Sequence, residues 1–140
     1  MIVLDTNVLS ELARPKPEPR VLAWLDRLRA SEIATTAVTA AEMWVGVSLL
    51  PDGRRKTELA VLVDEILNQD LRARVHPFDL PAAARYAHIA STCHRAGRPI
   101  GLADGQIAAI CLARGATLAT RNTKDFLDTG VDLIDPWEQS

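Results

Sequence analysis

The chain opens with MIVLDTNV (residues 1–8), in which the apolar run Ile2–Leu4 is followed at once by Asp5. A run this short, with no alternation of apolar and polar residues, is typical of a central strand that is buried on both faces. Asp5 has no obvious register in which to cap a helix, so we expect its carboxylate to serve function. The opening segment predicts a buried sheet whose first strand ends in an acid.

Segments of strand type alternate with segments of helix type along the rest of the chain. Further strands are predicted at residues 33–36, 75–79, 116–120 and 131–134, and the 75–79 strand is placed at an edge because Pro77 cannot donate to a ladder. Helices are predicted at residues 8–14, 21–29, 39–50, 56–72, 81–96 and 102–114. The alternation predicts one domain over residues 1–140, an α/β sandwich with a mostly parallel sheet.

Composition limits the class of protein. Hydrophobic residues make up 48% of the 140 residues and aromatic residues only 4%, which favours an aliphatic core. The formal net charge of −2 argues against a protein that coats nucleic acid without specificity, but it allows an enzyme with a local basic rim. Cys93 and Cys111 are expected to be buried free thiols. Since neither a membrane span nor a signal peptide is recognisable, we expect a soluble cytoplasmic protein.

Four acids lie where the predicted elements begin or end. Asp5 closes the first strand, Asp125 follows the strand that ends at Thr120, and Glu42 and Asp104 are expected in the first turns of helices. Ligands of parallel sheets bind beyond the carboxyl ends of the strands, so these carboxylates are expected to converge there. Converging carboxylates repel each other unless a cation compensates, and Mg²⁺ prefers oxygen ligands. The pattern predicts a magnesium site that activates water against a phosphodiester.

Three of these acids also have purely structural interpretations. Glu42 could complete a capping box with Thr39. Asp104 could be a first-turn acid that the helix dipole favours, and Asp125 could cap a short helix at Phe126. The argument for a site therefore depends on whether the acids converge.

Four segments in this order resemble PIN-domain proteins, specifically the VapC/FitB-type toxins of bacterial toxin–antitoxin pairs. They are residues 2–8 (IVLDTNV), 39–46 (TAAEMWVG), 102–109 (LADGQIAA) and 119–126 (ATRNTKDF). The resemblance implies a three-layer α/β/α fold and an endoribonuclease that depends on Mg²⁺ or Mn²⁺. It also implies a homodimer and a cognate antitoxin that blocks the groove, with operator DNA bound only through the antitoxin.

The resemblance also implies roles for individual residues. Asp5 and Asp104 would be the main metal ligands, and Glu42 would be a further ligand or would position the attacking water. Asn7 and Thr6 would support the turn after the first strand or the water shell of the metal.

The fourth acidic position departs from the family pattern. Many relatives carry an acid where this chain has Asn122, which offers a carbonyl oxygen but no charge. Asp125 either takes over the role or is the position that this subgroup uses. The departure leaves open a protein that keeps the fold but has lost catalysis, and binds an antitoxin or RNA.

RNA binding needs cations near the acids. Arg121 and Lys124 flank the fourth acidic segment and are the candidate substrate-binding residues. Arg54–Lys56, Arg95 and Arg98 are more distant candidates.

Apolar helices suggest association with other chains. The candidate contact surfaces are the helix that carries Trp24 and the run Trp44–Leu50. A rival function, a phosphatase of the haloacid-dehalogenase type, is disfavoured because Asn7 stands where that family has a second acid.

Overall fold

A computed structural model describes residues 1–139, and a five-stranded sheet lies at its centre. The strands are β1 (Ile2–Leu4), β2 (Ile33–Thr36), β3 (Val75–His76), β4 (Thr117–Ala119) and β5 (Leu133–Ile134). Their order is β3-β2-β1-β4-β5, and all four pairings are parallel. The predicted parallel sheet, the central place of the opening segment and the edge place of β3 are confirmed.

Neighbouring residues of β1 supply two separate hydrophobic cores, because successive side chains of a strand point to opposite faces. Val3 packs in one core with Leu118 and with residues of the fifth and sixth helices. Leu4 packs in the other core with residues of the first four helices. Both side chains are buried. Helices therefore cover both faces of the sheet, and the three-layer α/β/α architecture is confirmed.

Within the described residues 1–139, six α-helices form the outer layers. They are α1 (Thr6–Leu12), α2 (Pro19–Asp26), α3 (Ala37–Ser48), α4 (Arg54–Glu65), α5 (Leu80–Arg95) and α6 (Leu102–Arg114). The end of α6 was predicted correctly: Gly115 adopts the left-handed conformation, with φ of 62°, that closes many helices.

Several helix boundaries differ from the prediction for local reasons. Helix α3 begins at Ala37 because Thr36, and not Thr39, is its N-cap. The hydroxyl of Thr36 accepts the backbone N–H of Thr39 at 3.0 Å. Helix α4 gives way after Glu65 to one wide π-type turn at Ile66–Asp70. The sequence predicted a single helix over residues 56–72, because its apolar periodicity continues through this turn and does not indicate the change in hydrogen bonding.

Two further expectations concern buried side chains. Cys93 and Cys111 are buried free thiols, as predicted. The side chain of Trp24 is also buried, in the core under α1 to α4, so the indole itself is not available as a contact for another protein. Among residues 1–139, no helix is long and apolar enough to cross a membrane.

Candidate active site

Asp5 lies at the carboxyl end of β1 and caps α1, contrary to the expectation that it has no helix to cap. Its Oδ1 accepts the backbone N–H of Thr6 at 2.8 Å, and its Oδ2 accepts the hydroxyl of Thr120 at 2.8 Å and the amide of Asn7 at 3.2 Å. The residue is only 4% exposed. Burial raises the pKa of Asp5, and the three hydrogen bonds oppose that rise.

Thr120 connects the ends of β1 and β4. Its buried hydroxyl donates to Asp5, and the same oxygen accepts the Nδ2 of Asn7 and the backbone N–H of Asn122, each at 3.1 Å. The Oδ1 of Asn7 in turn accepts the backbone N–H of Arg121 at 3.1 Å. The loop after β4 is thus hydrogen-bonded directly to the carboxylate that ends β1.

Glu42 approaches the same edge from the second turn of α3, and it does not form a capping box. Its Oε1 accepts the hydroxyl of Thr6 at 2.6 Å, while the hydroxyl oxygen of Thr6 also lies 3.2 Å from that of Thr39. Glu42 is exposed, and only one of its two carboxylate oxygens is engaged in the part of the chain that the structure describes. The other oxygen is available to a solvent molecule or a substrate.

Asp104 occupies the first turn of α6, as predicted. Within residues 1–139 its carboxylate makes no hydrogen bond and no ion pair. Burial is the main reason that the pKa of Asp104 rises to about 6, and the negative charges of Asp5, Asp125 and Glu42 raise it further, in that order. The other three predicted acids are therefore each close enough to act on Asp104 electrostatically.

A glycine follows Asp104 where α6 packs against α5. A Cβ atom on Gly105 would lie 2.8 Å from the Cε1 atom of Tyr86 on α5, which is closer than real contacts allow. Gly105 thus leaves room for the Tyr86 ring, which would have to shift if a larger residue stood there.

An open groove of about 530 Å³ runs past these residues. Its lining residues are Asp5, Thr6, Asn7, Ser10, Glu11, Arg14, Glu42, Asp104, Arg121, Asn122 and Trp137. Asp125 and Lys124 are absent from this lining and line a second cavity of about 310 Å³, to which Asp104 also contributes. The structure thus brings Asp5, Glu42 and Asp104 together in one groove and places Asp125 behind Asp104.

The segment after β4 also differs from its structural interpretation. Asp125 lies inside a 3₁₀ turn at Thr123–Phe126 and does not cap it, because Asn122 occupies the preceding position. Asn122 faces the groove with the three acids, whereas Asp125 acts on Asp104 through its charge.

The donor set fits a hard divalent cation by its chemistry. It consists of carboxylates and amide or hydroxyl oxygens, and the raised pKa of Asp104 shows a carboxylate without a compensating positive charge. In the described chain no three His, Cys, Asp or Glu side chains are arranged to hold a metal between them. Mg²⁺ commonly binds one or two carboxylates and completes its shell with water and phosphate oxygens, so a set of three such side chains is not required.

Sequence reasoning missed the buried Thr120, which supports Asp5, and several lining residues of the groove, namely Ser10, Glu11, Arg14 and Trp137. Thr120 was recognised only as the last residue of a strand. Its position directly beside Asp5 follows from the parallel pairing of β1 with β4, which no local pattern specifies.

We expect Thr120→Val to lower the activity of this site about 10- to 100-fold, because it removes a partner that orients Asp5. It should also cost about 1–3 kcal/mol of unfolding free energy, since Asp5 loses a buried hydrogen bond. Thr35→Val is the matched control, because the equally buried hydroxyl of Thr35 donates to the carbonyl of Leu4 at 2.8 Å, away from the groove. Denaturant unfolding and activity are compared for both variants. Equal loss of activity in the two would contradict a specific role of Thr120.

Comparison with known proteins gives a consistent family. A family model described as PIN domain matches residues 2–131. The chain is 42% identical to a protein named VapC ribonuclease Y4jK of Sinorhizobium fredii over 138 residues, which cover 99% of each protein. It is 42% identical to Toxin FitB of Neisseria gonorrhoeae over 137 residues, which cover 98% of this chain and 99% of that one.

A solved structure agrees with the sequence relatives. A chain in the structure of FitAB bound to an IR36 DNA fragment superposes with a TM-score of 0.89 at 42% identity. The match covers 100% of this chain and 98% of the other.

Proposed function

Because this chain belongs to the PIN-domain family and resembles VapC and FitB proteins over nearly its whole length, we propose that it is the ribonuclease toxin of a toxin–antitoxin pair. The reaction is the hydrolysis of RNA phosphodiester bonds with Mg²⁺, or with Mn²⁺ in its place. One observation carries the proposal: Asp5, Glu42 and Asp104 line a single open groove, where burial and then the neighbouring negative charges raise the pKa of Asp104 to about 6.

Asp5 and Asp104 are the residues that would hold the metal. Asp5 is fixed by its three hydrogen bonds, so its orientation is set before any ligand enters. Asp104 has no partner in the described chain and remains free to bind. When bound, Mg²⁺ supplies Lewis-acid stabilisation of the negative charge that develops on the phosphate and lowers the pKa of water.

Glu42 is the general base. The hydroxyl of Thr6 engages Oε1 at 2.6 Å, which leaves Oε2 to accept the proton of the attacking water. The water oxygen forms a bond to phosphorus, and the bond to the leaving oxygen on the opposite side breaks. Arg121 lines the same groove and holds the phosphate backbone of the substrate.

The proposed partners are a second copy of the chain and a cognate antitoxin protein. Exposed apolar side chains support association: Trp44 and Val45 on α3, and Leu49 directly after it, lie at the surface. The solved relative is a FitAB complex on a DNA fragment, and by analogy we expect this chain to reach operator DNA only through its antitoxin.

Cleavage of total RNA by the purified, antitoxin-free protein tests the function. We expect discrete fragments with Mg²⁺, none with chelator, and recovery of the same fragments when Mg²⁺ is added back in excess. Absence of cleavage by folded protein with either Mg²⁺ or Mn²⁺ would contradict the proposal and favour a catalytically silent module that binds RNA or an antitoxin.

A further inference from the structure

Glu11 is a second buried acid in the wall of the groove, and the mechanism above does not use it. It is 6% exposed, near the end of α1. Its carboxylate accepts the Nη1 of Arg14 at 3.1 and 3.2 Å and the backbone N–H of Glu18 at 3.0 Å. A buried carboxylate is costly unless it is paired and hydrogen-bonded, and these contacts satisfy it. Their effect is to fix Arg14 and the proline-containing loop that follows it.

Arg14 is held by Glu11 and is also exposed to the groove. Its side chain is 62% exposed, and it lines the same groove as Asp5 and Asp104. Glu11 accepts only from Nη1, so the N–H donors on the edge formed by Nε and Nη2 are not used by Glu11. That edge is the face with which a guanidinium binds the two oxygens of a phosphate.

The two ends of α1 set the distance between Arg14 and the acids. Asp5 precedes the helix and Arg14 follows it, so their backbones are separated by the seven residues of α1, roughly 10 Å at 1.5 Å per residue. The guanidinium of Arg14 is bonded to Glu11 near the far end of α1, which places it for a phosphate other than the one that Asp5 and Asp104 address. A phosphate farther along the same strand lies within its reach.

Arg121 is held in a similar way by a different partner. Its guanidinium lies 4.9 Å from the centre of the Trp137 ring, and its backbone N–H is bonded to Asn7. Across residues 1–139, neither Arg14 nor Arg121 forms an ion pair with Asp5, Glu42 or Asp104. Both cations are thus kept away from the acids and can bind an anion from outside.

We propose that Arg14 binds a phosphate of single-stranded RNA next to the phosphate that is cleaved, and that Glu11 positions it for this contact. The inference rests on the proposed ribonuclease function. A single strand fits because Asp5 is recessed, and a flexible backbone can sink into the groove more readily than a helix of paired RNA. In this arrangement the RNA strand lies along α1 in the groove, with the acids at one end and Arg14 at the other.

Binding is tested in the full-length Asp104→Asn protein in chelator, where cleavage cannot interfere. The probe is a short fluorescein-labelled single-stranded RNA of mixed sequence, and anisotropy titrations are run over a range of salt concentrations. We expect Arg14→Ala to weaken binding about 5- to 10-fold and to reduce the slope of log affinity against log salt by about 0.7, the value for one phosphate contact on a single strand. Arg14→Lys should keep the slope.

Two comparisons make the test specific. Arg29→Ala is the matched control, because Arg29 forms the same i,i+3 pair with Glu32 on the surface, outside the groove; it should leave affinity and slope unchanged. In a Glu11→Gln background, Arg14→Ala should weaken binding less than about twofold, because the guanidinium is no longer held in place. Thermal unfolding checks that each variant is folded.

The opposite results are equally clear. An unchanged slope in Arg14→Ala, or an equal loss in Arg29→Ala, would overturn the phosphate contact. An undiminished effect of Arg14→Ala in the Glu11→Gln background would overturn the role of Glu11. These results are independent of whether the wild-type protein cleaves RNA with Mg²⁺, so failure of this inference is distinguishable from failure of the proposed function.

Discussion

Asp104→Asn is expected to abolish RNA cleavage and, at the same time, to stabilise the metal-free protein. The loss of activity should be on the order of 10³-fold or more, beyond the 10- to 100-fold typical of residues that only orient a metal ligand. The gain in stability has a separate cause: the carboxylate is partly buried without a partner in residues 1–139, and Asp5, Asp125 and Glu42 repel it. Asn removes that repulsion without breaking a hydrogen bond.

The pH dependence of stability gives the sign of this effect. The pKa of Asp104 is about 6 in the folded protein against an ordinary value of 3.8, so between these values the folded state holds more protons than the unfolded state. The unfolding free energy must then fall as pH rises from about 4 through 6. For this half-buried, partly screened group the loss is on the order of 1–2 kcal/mol.

Thermal melts in chelator measure the prediction. At pH 7 to 8 the variant should melt roughly 3–8 °C higher than the wild type, and the difference should vanish near pH 4. Added Mg²⁺ should stabilise the wild type but not the variant. Asp132→Asn is the control, because Asp132 is an exposed acid whose side chain has no partner among the described residues. A variant that melts below the wild type at pH 8 would show that Asp104 is not under electrostatic strain.

Asp5→Asn should abolish cleavage to the same degree without the gain in stability. Asn retains the helix cap, because its carbonyl oxygen can still accept the N–H of Thr6. Its amide would replace Oδ2, however, which now accepts both Thr120 and Asn7. The Thr120 hydroxyl must turn and Asn7 loses an acceptor, at a cost of about 1–2 kcal/mol that offsets the relief of a buried charge.

Asp79→Asn is the matched control for this substitution. Asp79 caps α5 by accepting the N–H of Ala82 at 3.2 Å, and it lies outside the groove. Cleavage assays and melts in chelator are compared for the two variants. The control should cleave RNA at the wild-type rate, whereas Asp5→Asn should be inactive and melt no higher than the wild type. Substantial cleavage by Asp5→Asn would remove Asp5 from the list of metal ligands.

The sequence was sufficient to predict the sheet and the convergence of three of the four candidate acids in one groove; Asp125 lines a second cavity. Ile2–Leu4 has no polar face, so it could only be a strand covered on both sides, and Asp5 had to lie at its carboxyl end. The start of α6 and its closing glycine were also predicted from the sequence, so Asp104 was correctly assigned to the first turn of that helix. These predictions depend on residues close together in the chain, where periodicity and turn chemistry act.

Features that depend on distant residues were missed. Thr120 meets Asp5 across 115 positions, and Glu42 meets Thr6 across 36, through contacts that only the assembled sheet creates. The cap of α3 was misplaced because Thr36 and Thr39 are both plausible caps, and the end of β2 decides between them. Glu11 and Arg14 were not singled out, since the burial of Glu11 cannot be predicted from its neighbours in sequence.

The register of strand β1 determines both the packing of the two cores and the position of Asp5. Val3 and Leu4 serve opposite cores, and the next residue is Asp5. A slip of this strand by one position would send each aliphatic side chain into the wrong layer and would also carry the carboxylate away from Thr120. The packing of β1 therefore selects the register that places Asp5 beside Thr120. A chain with this strand out of register loses its folded core together with the site.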